Sequence, residues 1–138
     1  MNQKTDWALL FLRIALGAIF VAHGSQKIFV FGHAGVAGFL TTLGVPLPNI
    51  SAYLLMAAEF GGGILLLLGL LTRIAALSIL IAMLVALFEV HLSKGFFLPE
   101  GFEYVFMLIF SSLALLIAGG GRFAIDPLIF GKKLPAAT

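Results

Sequence analysis

Four long apolar segments constrain this chain more than any other feature of its sequence. Each is about 17–25 residues long, the length that a helix needs to cross the hydrocarbon core of a bilayer. They extend over about residues 7–31, 50–71, 73–91 and 102–118. Hydrophobic residues make up 62% of the chain, charged residues only 10%, and the mean hydropathy is +1.17. We therefore predict an all-α fold: one integral membrane domain over residues 1–138, a four-helix bundle of up-down-up-down topology with a C-terminal tail at 119–138.

Clusters of glycine and proline separate these segments and predict their connections. The stretch "GHAGVAGFLTTLGVPLP" at residues 32–48 predicts one long loop, and "GLLTR" at residues 69–73 predicts a very tight turn. A third connection is "SKGFFLPEG" at residues 93–101, and "GGGRFAIDP" at residues 119–127 ends the last helix.

Basic residues indicate the orientation of the bundle. In a four-span arrangement one side carries five of them, Lys4, Arg73, Arg122, Lys132 and Lys133, whereas Lys27 and Lys94 lie toward the other side. The positive-inside rule therefore predicts that both termini are cytoplasmic. The net charge of +2 is scattered along the chain, which gives no support for nucleic-acid binding. The absence of cysteine excludes disulfides, thiolate nucleophiles and Cys-ligated metals.

A carboxylate, Glu59, lies near the middle of the second apolar segment. With helices of alternating direction, Glu59 and His23 both lie on the order of 12–13 Å below the outer boundary, at 1.5 Å per residue. An ionisable group at the centre of a membrane helix costs roughly 2.5–3.5 kcal/mol, so such groups usually turn inward and pair or line a wet cavity. We therefore predict one polar cluster in the outer half of the bundle, formed by His23, Lys27, Glu59, Glu89, His91 and Glu103. Within it, His23 and Glu59 are the candidates for proton exchange.

Small residues indicate which helix faces pack together. In the third segment Ala75, Ser78, Ala82 and Ala86 recur at steps of three and four, and Glu89 continues the stripe, so we expect it to face a neighbouring helix. A weak internal echo, F-x-x-H-x-S, relates "FVAHGS" at residues 20–25 to "FEVHLS" at residues 88–93. A duplicated hairpin would place His23 and His91 in equivalent positions.

Structural roles compete with functional ones for several of these residues. Glu59 and His23 are also suited to fastening helices through hydrogen bonds, and Lys27 is long enough to extend to the outer headgroups. Four residues of the inner half are expected to be structural, with the arginines pairing with the aspartate: Arg13, Arg73, Arg122 and Asp126. No pair has the spacing of a recognisable ligand set, so no metal site is predicted.

Six motifs in this order resemble the DoxX family of small four-helix bacterial membrane proteins. They are "HGSQKIF" (23–29), "LGVPLP" (43–48), "AEFGGGILLLLGLLTRIAAL" (58–77), "MLVALFEVH" (83–91), "GFEY" (101–104) and "GGGRFAID" (119–126). The resemblance implies a multi-pass protein of the bacterial inner membrane. It also implies a role as a membrane component of a redox system, since members of the family are linked to thiosulfate, to thiol stress, or to quinone and catechol chemistry.

Three functions remain as alternatives. The first is a membrane subunit of a redox system that binds a quinone or a small sulfur or phenolic compound and works with a redox partner protein. The second is a non-catalytic scaffold or assembly factor, and the third is a small-molecule transporter. The sequence has no haem- or flavin-binding signature, so any electron-carrying cofactor would belong to the partner. The lipid bilayer is the first expected partner, and four helices leave room for a homo-oligomer.

Overall fold

The computed structural model describes residues 2–131. Lys132, Lys133 and the remaining residues of the predicted tail up to 138 lie outside the described residues, whereas residues 119–131 of that tail are described. The seven α-helices of this part are α1 (Gln3–Gln26), α2 (Gly32–Thr42), α3 (Pro48–Met56), α4 (Gly62–Leu68), α5 (Thr72–Ala86), α6 (Glu103–Ala118) and α7 (Asp126–Phe130). Three π-helical turns lie between or after them, at Lys27–Phe31, Ala57–Gly61 and Leu87–His91, and a 3-10 turn comes next at Leu92–Lys94. The prediction of an all-helical fold is confirmed for the described residues.

Three helical stretches are long and apolar enough to cross a membrane: Gln3–Thr42, Pro48–Leu68 and Thr72–Lys94. The fourth predicted span corresponds to α6, whose 16 residues measure about 24 Å, somewhat less than the hydrocarbon core. The predicted tight turn is confirmed between α4 and α5, where Gly69 and Leu71 both have positive φ angles.

The long loop predicted at residues 32–48 is wrong, because most of it is α2. The chain changes direction at Gly32, where φ is +68°, and then continues as a helix to Thr42. Glycines lower helix propensity, but here burial outweighs them, since Val36, Ala37 and Leu40 pack against Ala52 of α3. The first stretch is therefore divided at Gly32, and only α1 with its π-turn is needed to span.

A second contact fixes α2 on α3. The ring of His33 stacks on Tyr53 with centroids 3.9 Å apart, and its Nε2 lies 2.9 Å from the carbonyl oxygen of Asn49. A carbonyl only accepts, so Nε2 is the donor. The pair α2 and α3 consequently forms one unit at the end of the bundle that holds Lys27 and Glu59.

Four helical columns close into a ring around the core. Helix α1 packs against α4 and α6, and α5 packs against the same two helices from the other side. The side chains at the centre are almost fully buried: Leu16, Phe20, Leu66, Ile79 and Leu115. This ring leaves the interior at the Glu59 end open for a cavity.

Gly24 determines how closely α1 approaches the second column. A Cβ atom at this position would lie only 2.5 Å from the backbone nitrogen of Phe60. Only glycine leaves room for that contact, which is how membrane helices commonly bring their backbones together. Because Phe60 adjoins Glu59 and Gly24 adjoins His23, the two polar residues lie at the same level, in agreement with the depths estimated from the sequence.

The predicted orientation of Glu89 is wrong, because this residue lies within the third π-turn. A π-turn bonds residue i to i+5 and so shifts the helical phase of the residues after it. The turn at Leu87–His91 interrupts the stripe of small residues after Ala86, and Glu89 is exposed instead of facing a neighbouring helix. The same shift brings His91 to the inner side.

Candidate functional site

A cavity of about 330 Å³ lies inside the bundle at the Glu59 end, and we call it the central cavity. Its polar lining comes from four columns of the fold and consists of His23, Lys27, Glu59, His91 and Tyr104. Apolar side chains complete it, namely Phe20, Phe39, Leu40, Leu43, Leu55, Ala82, Met83, Val85, Ala86, Val90, Val105 and Leu108. A mainly apolar pocket with a few convergent polar groups is the usual form of a small-molecule site, and this volume is at the lower end of the range for such sites.

Glu59 and Lys27 form an ion pair at the wall of the central cavity. The Lys27 Nζ lies 2.7 Å from Glu59 Oε2, and the Glu59 side chain is only 4% exposed. Apart from the Lys27 ammonium, no group within residues 2–131 donates a hydrogen bond to Oε2. A carboxylate oxygen accepts more than one hydrogen bond, so a hydroxyl or amide N–H of a ligand could add a second donor.

Two histidines reach the same cavity with different surroundings. The Nδ1 atom of His91 lies 2.9 Å from the carbonyl oxygen of Glu100, so Nδ1 is the donor. In the neutral ring Nε2 is then the acceptor. His23 is exposed on its outer side and belongs to the rim of the cavity. Glu59 makes its charged contact with Lys27, one helical turn beyond His23, and no hydrogen bond joins His23 to Glu59 among the described residues.

The predicted repeat has unequal surroundings in the two copies. His23 and His91 both line the central cavity, but Phe20 is buried in the core whereas Phe88 is 64% exposed. The F-x-x-H-x-S segments are therefore similar in sequence without packing in equivalent ways.

Two residues of the predicted cluster lie outside the cavity, and one that the prediction omitted lies within it. Glu89 is exposed on the outer surface of its π-turn. Glu103 accepts a hydrogen bond from the backbone nitrogen of Leu98 at 2.8 Å and so holds the preceding loop. Tyr104, the neighbour of Glu103, lines the cavity instead. Its spacing of four from Leu108, on the buried side of α6, is the signal that could have indicated it.

The opposite end of the bundle holds a second group of polar residues, the basal cluster, formed by Asp6, Arg13, Thr72 and Asp126. Arg13 is 1% exposed. Its Nη1 donates to the carbonyl oxygen of Leu66 at 3.1 Å, and its Nη2 donates to that of Phe123 at 3.0 Å. The guanidinium packs directly against Gly69, where any side chain would overlap it. Arg13 thus joins α1 to the end of α4 and to the segment after α6.

The expected ion pairs of Asp126 with the arginines do not form. Its two carboxylate oxygens instead accept from the backbone nitrogens of Leu71 at 2.6 Å and Thr72 at 2.9 Å. The first turn of α5 has unsatisfied N–H groups and a partial positive charge, so a carboxylate is favourable there. Arg13 and Asp126 interact electrostatically, but their side chains are not in contact.

The other residues expected to be structural make backbone contacts at the same end. Arg73 donates from Nη2 to the carbonyl oxygen of Ile117 at 3.1 Å. Arg122 contributes its backbone nitrogen, which donates to the buried carboxylate of Asp6 at 2.9 Å, while its side chain is exposed. Asp6 was not singled out from the sequence, because its role depends on a chain segment more than a hundred residues away. These contacts support structural roles for this group.

No set of three or more His, Asp or Glu side chains converges as a metal site in the described part of the chain. The polar lining of the central cavity contains one carboxylate, two histidines, one ammonium and one phenol. Such a set donates, accepts and exchanges protons.

The fold and the cavity define a class: a small helical membrane protein whose interior holds an ion pair at the wall of a ligand-sized cavity. A sequence model of the DoxX family matches residues 8–92. The chain belongs to the DoxX family.

Three relatives resemble the chain over most of its length. A Bacillus subtilis (strain 168) protein named "Putative oxidoreductase CatD" is 34% identical over 96% of both chains. The Escherichia coli (strain K12) "Inner membrane protein YqjF" is 34% identical over 96% of this chain and 99% of its own. The Mycobacterium tuberculosis "Uncharacterized membrane protein Rv3486" is 31% identical over 86% of this chain and 79% of its own. No solved structure matches the chain.

Proposed function

We propose that this protein is the membrane subunit of a redox system and binds a quinone or a small sulfur or phenolic compound in the central cavity. The observation that carries the proposal is the buried Glu59 carboxylate, which is paired with Lys27 at the wall of the central cavity and has no further donor to Oε2 within residues 2–131. Ionisable groups inside membrane proteins are functional candidates by default. The three π-turns support it, because π-turns are frequent at functional sites and these carry Lys27, Glu59 and His91.

The cavity residues fit an aromatic compound that bears oxygen atoms on its ring. Glu59 Oε2 would accept from a phenolic or quinol O–H, and the Lys27 ammonium would donate to a carbonyl oxygen. Phe20, Phe39 and the other apolar residues of the lining would contact the ring faces. A compound with a hydroxyl group on one edge and a carbonyl group on another would form a hydrogen bond with each member of the ion pair.

Proton exchange is the chemistry that these side chains can supply. Reduction of a quinone to its quinol takes up two electrons and two protons, and the electrons would come from a redox centre on a partner protein. Lys27 would deliver one proton at the cavity and His91, in its imidazolium form, would deliver the other from Nε2, while His23 at the rim would return protons from the aqueous side. Glu59 would hold the substrate oxygen and stabilise the ammonium between transfers.

The relatives give this proposal a second support. The Bacillus subtilis relative bears the name "Putative oxidoreductase CatD". Our proposal carries only that class to this chain. A scaffold that binds a partner protein without a small molecule is the alternative outcome of the test.

We expect Glu59→Gln to weaken quinol binding by about tenfold to a hundredfold. A hydrogen bond to a charged group contributes about 1.5–3 kcal/mol, which corresponds to that range. The measurement is the binding of a short-chain benzoquinone and its quinol to purified protein in nanodiscs, by calorimetry.

Glu89→Gln is the matched control, because it makes the same chemical change at an exposed carboxylate outside the cavity. Equal binding by wild type and both variants would contradict a ligand at Glu59. Absence of quinone, phenol and thiosulfate binding to wild type, together with co-purification of a membrane partner, would favour the scaffold.

For the orientation we propose that both termini face the cytoplasm and that the central cavity opens to the opposite side. Lys4, Arg73 and Arg122 support it, since they lie at the end of the bundle with the basal cluster. Because the chain has no cysteine, single substitutions report the orientation directly. An impermeant maleimide added to intact spheroplasts should label Lys94→Cys, and Lys4→Cys only after lysis. Labelling in the reverse order would place the cavity on the cytoplasmic side.

A further inference from the structure

A second depression lies beside the central cavity, and we call it the side groove. It has a volume of about 360 Å³ and lies between α3 and α5, with contributions from Val45 and Leu40. Helix α5 packs against α4 and against the π-turn Ala57–Gly61 but makes little contact with α3. The two helices therefore separate beyond the π-turn, and the groove is the gap between them.

The side groove and the central cavity share one wall. Leu40, Leu55, Ala82 and Val85 line both spaces. On its other side the groove reaches the lipid-facing surface, where Leu54 and Ile81 are 66% and 55% exposed. A short row of apolar side chains is thus all that separates the Lys27 and Glu59 pair from the hydrocarbon of the bilayer.

The groove offers nothing to a polar ligand. Both hydroxyl groups of its lining already donate hydrogen bonds within the protein. Ser51 donates to the carbonyl oxygen of Pro46 at 2.8 Å, and Ser78 donates to that of Ala75 at 2.9 Å. The remaining lining is aliphatic, and it contains no charged residue. A hydrocarbon chain is the ligand chemistry that such a surface accepts.

We propose that the side groove holds the hydrocarbon tail of the ligand whose polar head occupies the central cavity. This inference rests on the proposed function and narrows it: the ligand is a membrane-dissolved compound with a compact oxygen-bearing head and a long apolar chain, as in prenylated quinones. It enters sideways from the bilayer between α3 and α5, and the side chains of the shared wall must move apart to let the tail join the head. Water-soluble sulfur compounds and simple phenols lack the part of the molecule that the groove accommodates.

Selection in the groove depends on shape. A tail moves from lipid to an equally apolar surface, so burial itself contributes little and close packing decides affinity. Binding must therefore be compared at equal concentrations within the bilayer. Two benzoquinones with the same ring substituents, one carrying a ten-carbon chain and one without a chain, separate the tail from the head.

The test measures both quinones on variants that fill the groove in nanodiscs. Ala58→Leu narrows it from the second column, and Ile81→Trp narrows it from α5 at an exposed position that tolerates a larger side chain. Leu77→Trp is the control, since it adds the same indole to an exposed site on α5 that lines neither space. Each groove variant should weaken binding of the tailed quinone by about tenfold, the usual effect of overpacking, and leave the tailless one unchanged.

The outcomes separate this inference from the proposed function. If both quinones bind wild type equally and the groove variants change neither, the tail does not occupy the groove, while the head site stands. If neither quinone binds, this inference fails, and the proposed function fails as well only when phenol and thiosulfate also do not bind. A photoreactive group at the end of the tail gives an independent readout, because it should crosslink within residues 78–85 of α5. Crosslinks confined to α6 would overturn the inference.

Discussion

Replacing Lys27 with methionine should lower the free energy of unfolding by about 3 kcal/mol, because it leaves a buried carboxylate without its cation. Methionine keeps the apolar stem of the side chain and removes only the ammonium that lies 2.7 Å from Glu59 Oε2. The measurement is reversible unfolding in mixed micelles at increasing fractions of a denaturing detergent. A cavity site that depends on the pair should lose its ligand in the same variant.

The double variant Lys27→Met with Glu59→Gln distinguishes this cause from general damage. With both charges gone, most of the stability should return, since a buried pair replaced as a unit is often nearly neutral. Lys94→Met is the control: its partner Glu100 is 3.9 Å away and both side chains are largely exposed, so the change should be below about 1 kcal/mol. A double variant no more stable than Lys27→Met would show that the two groups are not coupled.

Replacing Arg13 with methionine should cost about 3 kcal/mol, from the loss of two hydrogen bonds made by a buried cation. These bonds hold the carbonyl oxygens of Leu66 and Phe123, so their loss frees the segment after α6 from the end of α4. Thermal unfolding in detergent should show the decrease, and proteolysis should become faster near residue 123.

Arg73→Met is the comparison, because Arg73 is exposed and makes one such bond, to Ile117. Its loss should cost under about 1 kcal/mol, as is usual for a single exposed hydrogen bond. Arg13→Lys should be intermediate, since an ammonium keeps the charge but lacks the planar fork that reaches both carbonyls. If Arg13→Met were as stable as wild type, the cost of burying the guanidinium would equal what its hydrogen bonds contribute.

The candidate site shows where sequence reasoning was limited. The depths estimated from the sequence placed His23, Lys27, Glu59 and His91 at one end of the bundle, and all four line the central cavity. Glu89 was predicted with them on the assumption that the α-helix continues without a change of phase. The π-turn at Leu87–His91 changes that phase. Tyr104 was not predicted, because the prediction selected ionisable residues and therefore chose its neighbour Glu103.

The basal cluster shows the same limit for hydrogen bonds. The sequence indicated that Arg13 and Asp126 were structural, and opposite charges made an ion pair the simplest expectation. In the structure each binds backbone groups instead, because the ends of α4 and α5 expose carbonyls and N–H groups that have no partner within their own helices. Such groups become visible only once the helix ends are known.

Sequence alone determined the four long apolar segments, their membrane character and the family, whereas α2 and α7 were not predicted. Length and hydropathy are local properties, and a bilayer requires every apolar backbone segment to satisfy its own hydrogen bonds, so they suffice. The tertiary structure decided that residues 32–42 form a helix, that Lys27 is the partner of Glu59, and that a groove adjoins the cavity. Those features depend on close packing between columns distant in sequence, such as Gly24 against Phe60, and on shifts of helical phase that no local pattern records.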